Sequence, residues 1–131
     1  MQRSVVVPPT GLRPGIPYSP GIRWGDLVFV SGCTGSHPVT REFAPDIETQ
    51  TRQSLDNVKA IAEAAGASLA NALKLTIFMT DMHNEFERMN AVFREYFPVD
   101  PPARSTVGVA HLARPGLKIE IEMIAFVSPK T

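Results

Sequence analysis

An arginine that directly follows a proline-rich segment has the clearest chemical potential in this sequence. The run Pro101–Arg104 ends on this side chain, at the start of a β-prone segment that continues through Ser105 and Thr106. The prolines restrict the backbone before it, and a guanidinium held in place offers a two-pronged donor to a carboxylate. A second interpretation is equally compatible with the residues, namely that Arg104 is paired with a neighbouring acidic side chain.

Two glutamates, two positions apart, form the second candidate. Glu120 and Glu122 lie in segment 117–127, where apolar and polar residues alternate, so both should project from the same face of a strand. One carboxylate in such a place can move a proton in general acid–base catalysis. The residues alone favour a simpler interpretation, a solvated charged strip shared with Lys118.

The histidines and the cysteine indicate little chemistry. His37, His83 and His111 are not spaced with Cys33 or with carboxylates in the way that metal ligands are, so no metal site is predicted. A nucleophilic cysteine requires a base and a positive setting, which the sequence around Cys33 does not specify. A small packed thiol is the favoured interpretation.

The periodicity of the chain predicts an α+β fold with two helices. A turn at Gly25-Asp26 joins two short strands, and apolar residues at steps of three and four predict a first helix from Ile47, with Gln50 on its polar face. Strands are predicted at 4–7, 22–24, 27–30, 73–80, 105–109 and 117–127, and helices at 47–65 and 82–97.

Two helices can cover only one face of such a sheet. Several strands carry apolar residues on both faces, for example Leu27 and Phe29 beside Val28 and Val30. An uncovered apolar face of this kind predicts burial against another subunit.

Composition limits the class of protein. A length of 131 residues predicts a single domain over 1–131, and the formal net charge of zero, without a basic run, argues against nucleic acid as the main partner. No segment approaches the roughly 18 apolar residues of a membrane helix, and the apolar run Val5–Val7 is too short for a signal peptide. The expected location is therefore the cytoplasm.

Four segments together resemble the RidA (YjgF) family, in order and in approximate spacing. The resemblance covers residues 17–127, and the arginine motif followed by the Lys-Ile-Glu-Ile-Glu strand is its most specific part. The matching segments are Pro17–Gly21, Val30–Gly32, Arg52–Ile61, and Pro102–Ser105 with Lys118–Glu122.

The resemblance implies a chorismate-mutase-like α+β fold and a homotrimer whose sheets pack around a central barrel, with sites in the clefts between subunits. It also implies an enzyme without a cofactor that hydrolyses reactive 2-imino and 2-enamino acids, of the 2-aminoacrylate and 2-iminobutyrate type, to 2-keto acids and ammonia.

Individual roles follow from the same resemblance. Arg104 would bind the substrate carboxylate, and Glu120 would orient or deprotonate water and manage the proton of the leaving nitrogen. Thr106 stands where many relatives have cysteine, but its hydroxyl and backbone can still contact the carboxylate. The remaining substrate-binding positions are Tyr18, Ser31 and Asn90, which would line the cleft, and Gly32, which would allow the backbone to approach the ligand.

Three alternatives to this function remain open from the sequence. The enzyme could deaminate a different catabolic substrate of the aminomuconate type. The protein could instead be a non-catalytic trimer that uses Arg104 to bind a carboxylate ligand for regulation. An activity on RNA, a label given to some relatives, is disfavoured by the neutral charge.

Overall fold

The computed structural model describes residues 2–129 and has the predicted order of elements. The strand that carries Arg104 begins at Ala103, so this arginine lies inside the strand rather than before it. The strands are β1 (Arg3–Val6), β2 (Gly21–Trp24), β3 (Leu27–Thr34), β4 (Ala72–Met79), β5 (Ala103–Gly108) and β6 (Ile119–Phe126), and the helices are α1 (Ile47–Ala64) and α2 (Met82–Tyr96), with a short 3-10 helix at Leu69–Asn71.

The strands form one mixed sheet in the order β1-β2-β3-β6-β4-β5. All neighbours are antiparallel except β4 and β5, which are parallel and are connected through α2. Helix α1 connects β3 to β4, and both strands pair antiparallel with β6. The two helices therefore serve as crossovers between parallel strands, which confirms the α+β prediction.

The hydrophobic core lies between one face of this sheet and both helices. Alternate residues of the strands point into it, and the apolar stripes of the helices cover them. Asp46 caps α1 by accepting a hydrogen bond from the backbone N of Thr49, and Asp81 accepts one from the backbone N of Asn84 at the start of α2. The fully buried strand residues include Val28, Leu75, Ile77, Met79, Ile119, Ile121 and Ala125.

The expectation that Gln50 lies on the polar face of α1 was wrong. Its side chain is fully buried, Nε2 donates to the carbonyl oxygens of Ala44 (2.8 Å) and Gly116 (2.9 Å), and Oε1 accepts from the backbone N of Lys118 (2.8 Å). Because every polar atom of the amide has a partner, burial is tolerated, and the residue connects two loops to the start of β6.

The opposite face of the sheet is partly apolar and is uncovered within residues 2–129. Leu27 pairs with Trp24 and Phe126, Phe29 pairs with Ile124, and these side chains share the face that the helices do not reach. Trp24, Leu27 and Phe29 are each more than a third exposed. The predicted uncovered face is therefore present. No helix of this part of the chain has the length and apolar content needed to cross a membrane.

Candidate functional site

Arg104 lies against an aromatic platform on α2. Its guanidinium carbon is 4.8 Å from the ring centroid of Phe93 and 5.8 Å from that of Phe86. Within residues 2–129 it forms no ion pair, so the alternative in which an acidic neighbour neutralises it does not hold. Burial, together with the charge of nearby Arg94, lowers the pKa of the guanidinium. The group is a positioned cation without a counter-charge, held by stacking on the rings.

The space beside Arg104 is a recess of about 320 Å³, which we call the Arg104 recess. Prolines 101 and 102 form part of its wall, as predicted from their position before the strand. Asn90 also lines it, and the Oδ1 atom of this residue is buried without a hydrogen-bond partner among residues 2–129. A buried acceptor without a donor lowers the stability of a protein by about 1–3 kcal/mol. Because Asn90 lines the recess, its Oδ1 atom is suited to accept a hydrogen bond from a ligand bound there.

Thr106 shares the face of β5 that carries Arg104, two residues further on. It lies opposite Ile77 of β4 and is partly buried. It does not line the recess, which ends at Arg104.

Glu120 occupies a different environment on β6. Burial, and then the charge of Glu122, raise the pKa of its carboxyl. The carboxylate is half-buried and has no ion-pair partner within residues 2–129. A carboxyl group with a raised pKa accepts a proton more readily near neutral pH, which is the property that general base catalysis requires.

The backbone beside Glu120 contains an irregularity that makes room for it. The register between β3 and β6 shifts between Val30 and Cys33, so Ser31 and Gly32 form a β-bulge. A Cβ atom at Gly32 would lie 2.6 Å from Oε2 of Glu120. Glycine therefore leaves room for the carboxylate in this position. The sequence analysis assigned the same residue to close approach of the ligand.

A cleft of about 200 Å³ opens next to Glu120, and we call it the Glu120 cleft. Tyr18, Ser31 and Gly32 line it. The Oγ of Ser31 donates to the carbonyl oxygen of Ser19 (2.6 Å), and its backbone N donates to that of Pro20 (2.9 Å). These bonds attach the loop that carries Tyr18 to the bulge, so the two predicted lining residues are held together.

Cys33 lines the same cleft but is not suited to nucleophilic chemistry. Burial, and then the charge of Glu120, raise the pKa of the thiol to about 12. Its Sγ donates a weak hydrogen bond to the carbonyl oxygen of Ser31 (3.4 Å). The thiol is protonated at neutral pH, as the packed-thiol interpretation requires.

Within residues 2–129, no group of three or more His, Cys, Asp or Glu side chains is placed to hold a metal ion. His37 has a local role instead, because its Nδ1 accepts hydrogen bonds from the backbone N atoms of Val39 and Thr40.

One chain does not bring the predicted residues into a single site. Arg104 is in register with Leu75, whose side chain lies in the helix-covered core, whereas Glu120 is in register with Phe78, whose side chain points the other way. The Arg104 recess and the Glu120 cleft have no residue in common. The structure therefore separates the candidate residues into two groups, which we call half-sites: one with Arg104 and Asn90, and the other with Glu120, Tyr18, Ser31 and Gly32.

Sequence reasoning missed several residues of these half-sites. Phe86 and Phe93 were recognisable as part of the apolar stripe of α2, but not as the platform of Arg104. Arg13 and Arg41 line the Glu120 cleft, and they are isolated residues in loops with no spacing signal.

Comparisons with known proteins show the family of the chain. The model of the family described as Endoribonuclease L-PSP matches residues 10–127. The RutC family protein PH0854 of Pyrococcus horikoshii is 43% identical over 125 residues, which are 95% of this chain and 98% of the relative. The 2-iminobutanoate/2-iminopropanoate deaminase of Escherichia coli K12 is 44% identical over 112 residues, 83% of this chain and 86% of the enzyme.

A solved structure shows the same fold at a similar level of identity. The crystal structure of E. coli TdcF with bound serine superposes with a TM-score of 0.84 at 39% identity and covers 95% of this chain and 99% of that one. On the family match and these identities, the chain belongs to the Endoribonuclease L-PSP family, which is the RidA (YjgF) family that its motifs resemble.

Proposed function

We propose that the protein is a cofactor-independent deaminase that hydrolyses small 2-imino and 2-enamino acids to 2-keto acids and ammonia. The observation that carries this proposal is the pair of half-sites. One presents a cation without a counter-charge, Arg104 on its aromatic platform, and the other presents Glu120, a carboxyl whose pKa is raised. A carboxylate-bearing imine needs these two groups and little else.

The reaction follows from the roles of the two groups. The guanidinium of Arg104 binds the carboxylate of the substrate through two parallel hydrogen bonds and so fixes the imine carbon. Glu120 takes a proton from water as the water oxygen bonds to that carbon, and the electrons of the C=N bond move to nitrogen. Glu120 returns this proton to the nitrogen, which gives a carbinolamine. It then takes the proton of the new hydroxyl group and passes it to the nitrogen, so the C=O bond forms as the C–N bond breaks, and a 2-keto acid and ammonia leave. An imine carbon is already electrophilic, so no covalent nucleophile is required.

Other residues of the half-sites support this assignment. The unpaired Oδ1 of Asn90 can accept a hydrogen bond from the N–H of the substrate or from the attacking water. Tyr18 and Ser31 line the other side. Thr106 lies outside both half-sites, so its contact with the substrate carboxylate has no support in the geometry of one subunit.

The half-sites must come from different subunits if they act together. Arg104 and Glu120 lie on opposite faces of one sheet, and the face opposite the helices carries a group of exposed apolar side chains. We therefore propose a homotrimer in which sheets pack around a central barrel and each site combines the Arg104 recess of one subunit with the Glu120 cleft of the next.

The relatives support the chemical class. One relative at 44% identity is named a 2-iminobutanoate/2-iminopropanoate deaminase, and the TdcF structure contains serine, an amino acid with a free carboxylate. The family description also names a ribonuclease activity. A formal net charge of zero does not favour that activity, because RNA binding requires a clustered positive surface.

Mixed oligomers test the proposal directly. At substrate concentrations well below KM, the Arg104→Ala and Glu120→Gln variants are each expected to lose almost all of their activity. When they are co-expressed, random assembly places an intact arginine opposite an intact glutamate in about a quarter of the sites. We expect about a quarter of the wild-type rate of ammonia release from freshly generated 2-iminobutanoate, together with the mass of a trimer in solution.

Each contrary outcome is specific. If the mixed oligomer is as inactive as its parents while remaining assembled, the two residues do not share a site across subunits. If the wild-type protein does not accelerate hydrolysis of 2-iminobutanoate or 2-aminoacrylate, the general deaminase assignment fails. A substrate of the aminomuconate type, or ligand binding without turnover, would then replace it. Turnover of an aminomuconate-type substrate that is lost in Glu120→Gln would identify the former, and Arg104-dependent carboxylate binding without any turnover would identify the latter.

A further inference from the structure

Two arginines line the Glu120 cleft, and the proposed chemistry gives them no role. Arg13 comes from the loop that precedes Tyr18, and Arg41 comes from the loop between β3 and α1. Neither forms an ion pair with an acidic side chain within residues 2–129. The cleft that contains the single carboxylate of Glu120 therefore also presents two uncompensated positive charges.

The backbone of Arg41 adopts an energetically unfavourable conformation. Its φ angle is 68°, in the left-handed region that non-glycine residues enter at about 1 kcal/mol or more. Its backbone N donates to the carbonyl oxygen of His37 (3.0 Å), and its own carbonyl accepts from Nη1 of Arg114 (3.0 Å). Hydrogen bonds on both sides of Arg41 therefore hold this loop and fix the backbone conformation of the residue.

The two side chains are close enough to repel each other. Burial, and then the charges of Arg13 and Arg114, lower the pKa of Arg41, and Tyr18 opposes this effect. Like charges brought together without an ion-pair partner repel each other, and an anion bound between them reduces this repulsion. The cleft is therefore built for an anionic group of the ligand.

That group is distinct from the carboxylate that Arg104 binds. In the proposed site the 2-carboxylate lies in the Arg104 recess, and the imine carbon lies between the recess and Glu120. Whatever reaches Arg13 and Arg41 belongs to the side chain of the substrate. A guanidinium pair binds a carboxylate there through charge-assisted hydrogen bonds.

We infer that Arg13 and Arg41 select 2-imino acids that carry a second carboxylate at the end of a short side chain. This inference rests on the proposed deaminase function and names its substrate class. The reaction keeps the same balance, since water adds to the C=N carbon, ammonia leaves, and the product is a 2-keto dicarboxylate. The cleft volume of about 200 Å³ suits a side chain of one or two methylene groups.

The test uses two substrates of equal carbon number. 2-Iminosuccinate is generated in situ by oxidation of aspartate, and 2-iminobutanoate by oxidation of 2-aminobutyrate, so they differ in a terminal carboxylate against a methyl group. Competition with semicarbazide for the fresh imine gives relative kcat/KM values. We expect the wild-type protein to prefer 2-iminosuccinate, and we expect Arg13→Gln and Arg41→Gly each to lower that preference about tenfold.

The variants are chosen to fold. Glycine adopts the φ of Arg41 without strain, and Arg13 is exposed in a loop. Arg3→Gln removes one positive charge from an exposed position outside the cleft and should leave the ratio of the two substrates unchanged.

Three results would overturn the inference. Equal or lower kcat/KM for 2-iminosuccinate in the wild type leaves the deaminase function standing but removes the dicarboxylate preference. Equal losses on both substrates in the arginine variants would assign these arginines to the 2-carboxylate instead. Absence of acceleration with either imine would overturn the proposed function itself, and the inference with it.

Discussion

The two half-sites are formed by different kinds of structural element. The Arg104 recess has rigid walls, with a guanidinium lying on the rings of Phe86 and Phe93 and two prolines closing one side. The Glu120 cleft is formed by a β-bulge, a glycine and a loop attached through Ser31. The Arg104 recess positions a side chain that stays charged, and the Glu120 cleft positions a side chain that can gain or lose a proton.

This difference indicates how the proposed mechanism divides substrate binding and proton transfer between the two half-sites. Burial acts on both ionisable groups in the direction that disfavours charge, so it lowers the pKa of Arg104 and raises that of Glu120. For an arginine the shift has no practical consequence, because the group stays protonated. For a glutamate it moves the pKa towards the range in which it works as a base. In the proposed mechanism, the same physical effect thus leaves Arg104 charged as an anchor and prepares Glu120 to act as a base.

The largest expected effect comes from removing the titratable group. Glu120→Gln keeps the size of the side chain but cannot accept a proton, so kcat for 2-iminobutanoate should fall about a thousandfold, towards the uncatalysed rate, with little change in KM. Steady-state rates of 2-keto-acid release check this. Glu122→Gln is the matched control and should keep nearly the wild-type kcat. A variant of Glu120 that retains half of its activity would show that the carboxylate has no catalytic role.

Changes to the anchor should act mainly on binding. Arg104→Ala leaves the substrate carboxylate without its partner, so kcat/KM should fall about a hundredfold, mostly through KM. Arg104→Lys keeps the charge but loses the planar fork and the stacking on Phe93, so it should recover only part of the loss. Arg52→Ala, which removes an exposed arginine paired with Glu95, is the control. Full recovery in the lysine variant would mean that charge alone, without geometry, binds the substrate.

Sequence reasoning located the elements because their signals are local. Helix α1 and strand β6 follow from residue periodicity, and the position of Glu120 on an alternating strand was predicted and observed. Arg104 was predicted just before a strand and lies inside it, because β5 begins two residues earlier than its β-prone run. Gln50 was misplaced for a physical reason. Its partners on Gly116 and Lys118 are 66 and 68 residues away, and periodicity does not include partners at that distance.

The division into two half-sites was also beyond the sequence. Which face of β5 carries Arg104 depends on its parallel pairing with β4, and the face of Glu120 depends on the antiparallel pairing of β6 with both of its neighbours. These are long-range choices of the fold. The bulge at Ser31 and Gly32 is similar, because it exists only relative to β6.

A smaller effect should come from the backbone beside Glu120. Gly32→Ala would place a Cβ atom 2.6 Å from Oε2 of Glu120, and the carboxylate, as the free end of a side chain, should move aside. We expect kcat to fall about tenfold with little change in melting temperature, since a displacement below 1 Å is enough to disturb proton transfer.

Gly35→Ala provides the contrast for this substitution. Its Cβ would meet the backbone oxygen of Gln50 at 2.5 Å, and this backbone cannot move without disturbing α1. In Gly35→Ala the main effect should therefore be a lower melting temperature, measured by thermal unfolding, rather than a lower kcat. A loss of stability in Gly32→Ala as large as in Gly35→Ala would contradict the assignment of Gly32 to the catalytic half-site.

The smallest effect should be a change in pH dependence. The charge of Glu122 raises the pKa of Glu120, so Glu122→Gln should lower that pKa. Activity requires ionised Glu120, so the acid side of the kcat/KM profile marks its protonation and should move to lower pH in the variant. The direction of this change does not depend on what a neighbouring subunit contributes, because only one charge is removed. No such shift should occur in Arg104→Lys, which keeps its charge, so the two profiles together separate the half-site that titrates from the half-site that anchors. An unchanged acid limb in Glu122→Gln would show that another group controls the pH dependence.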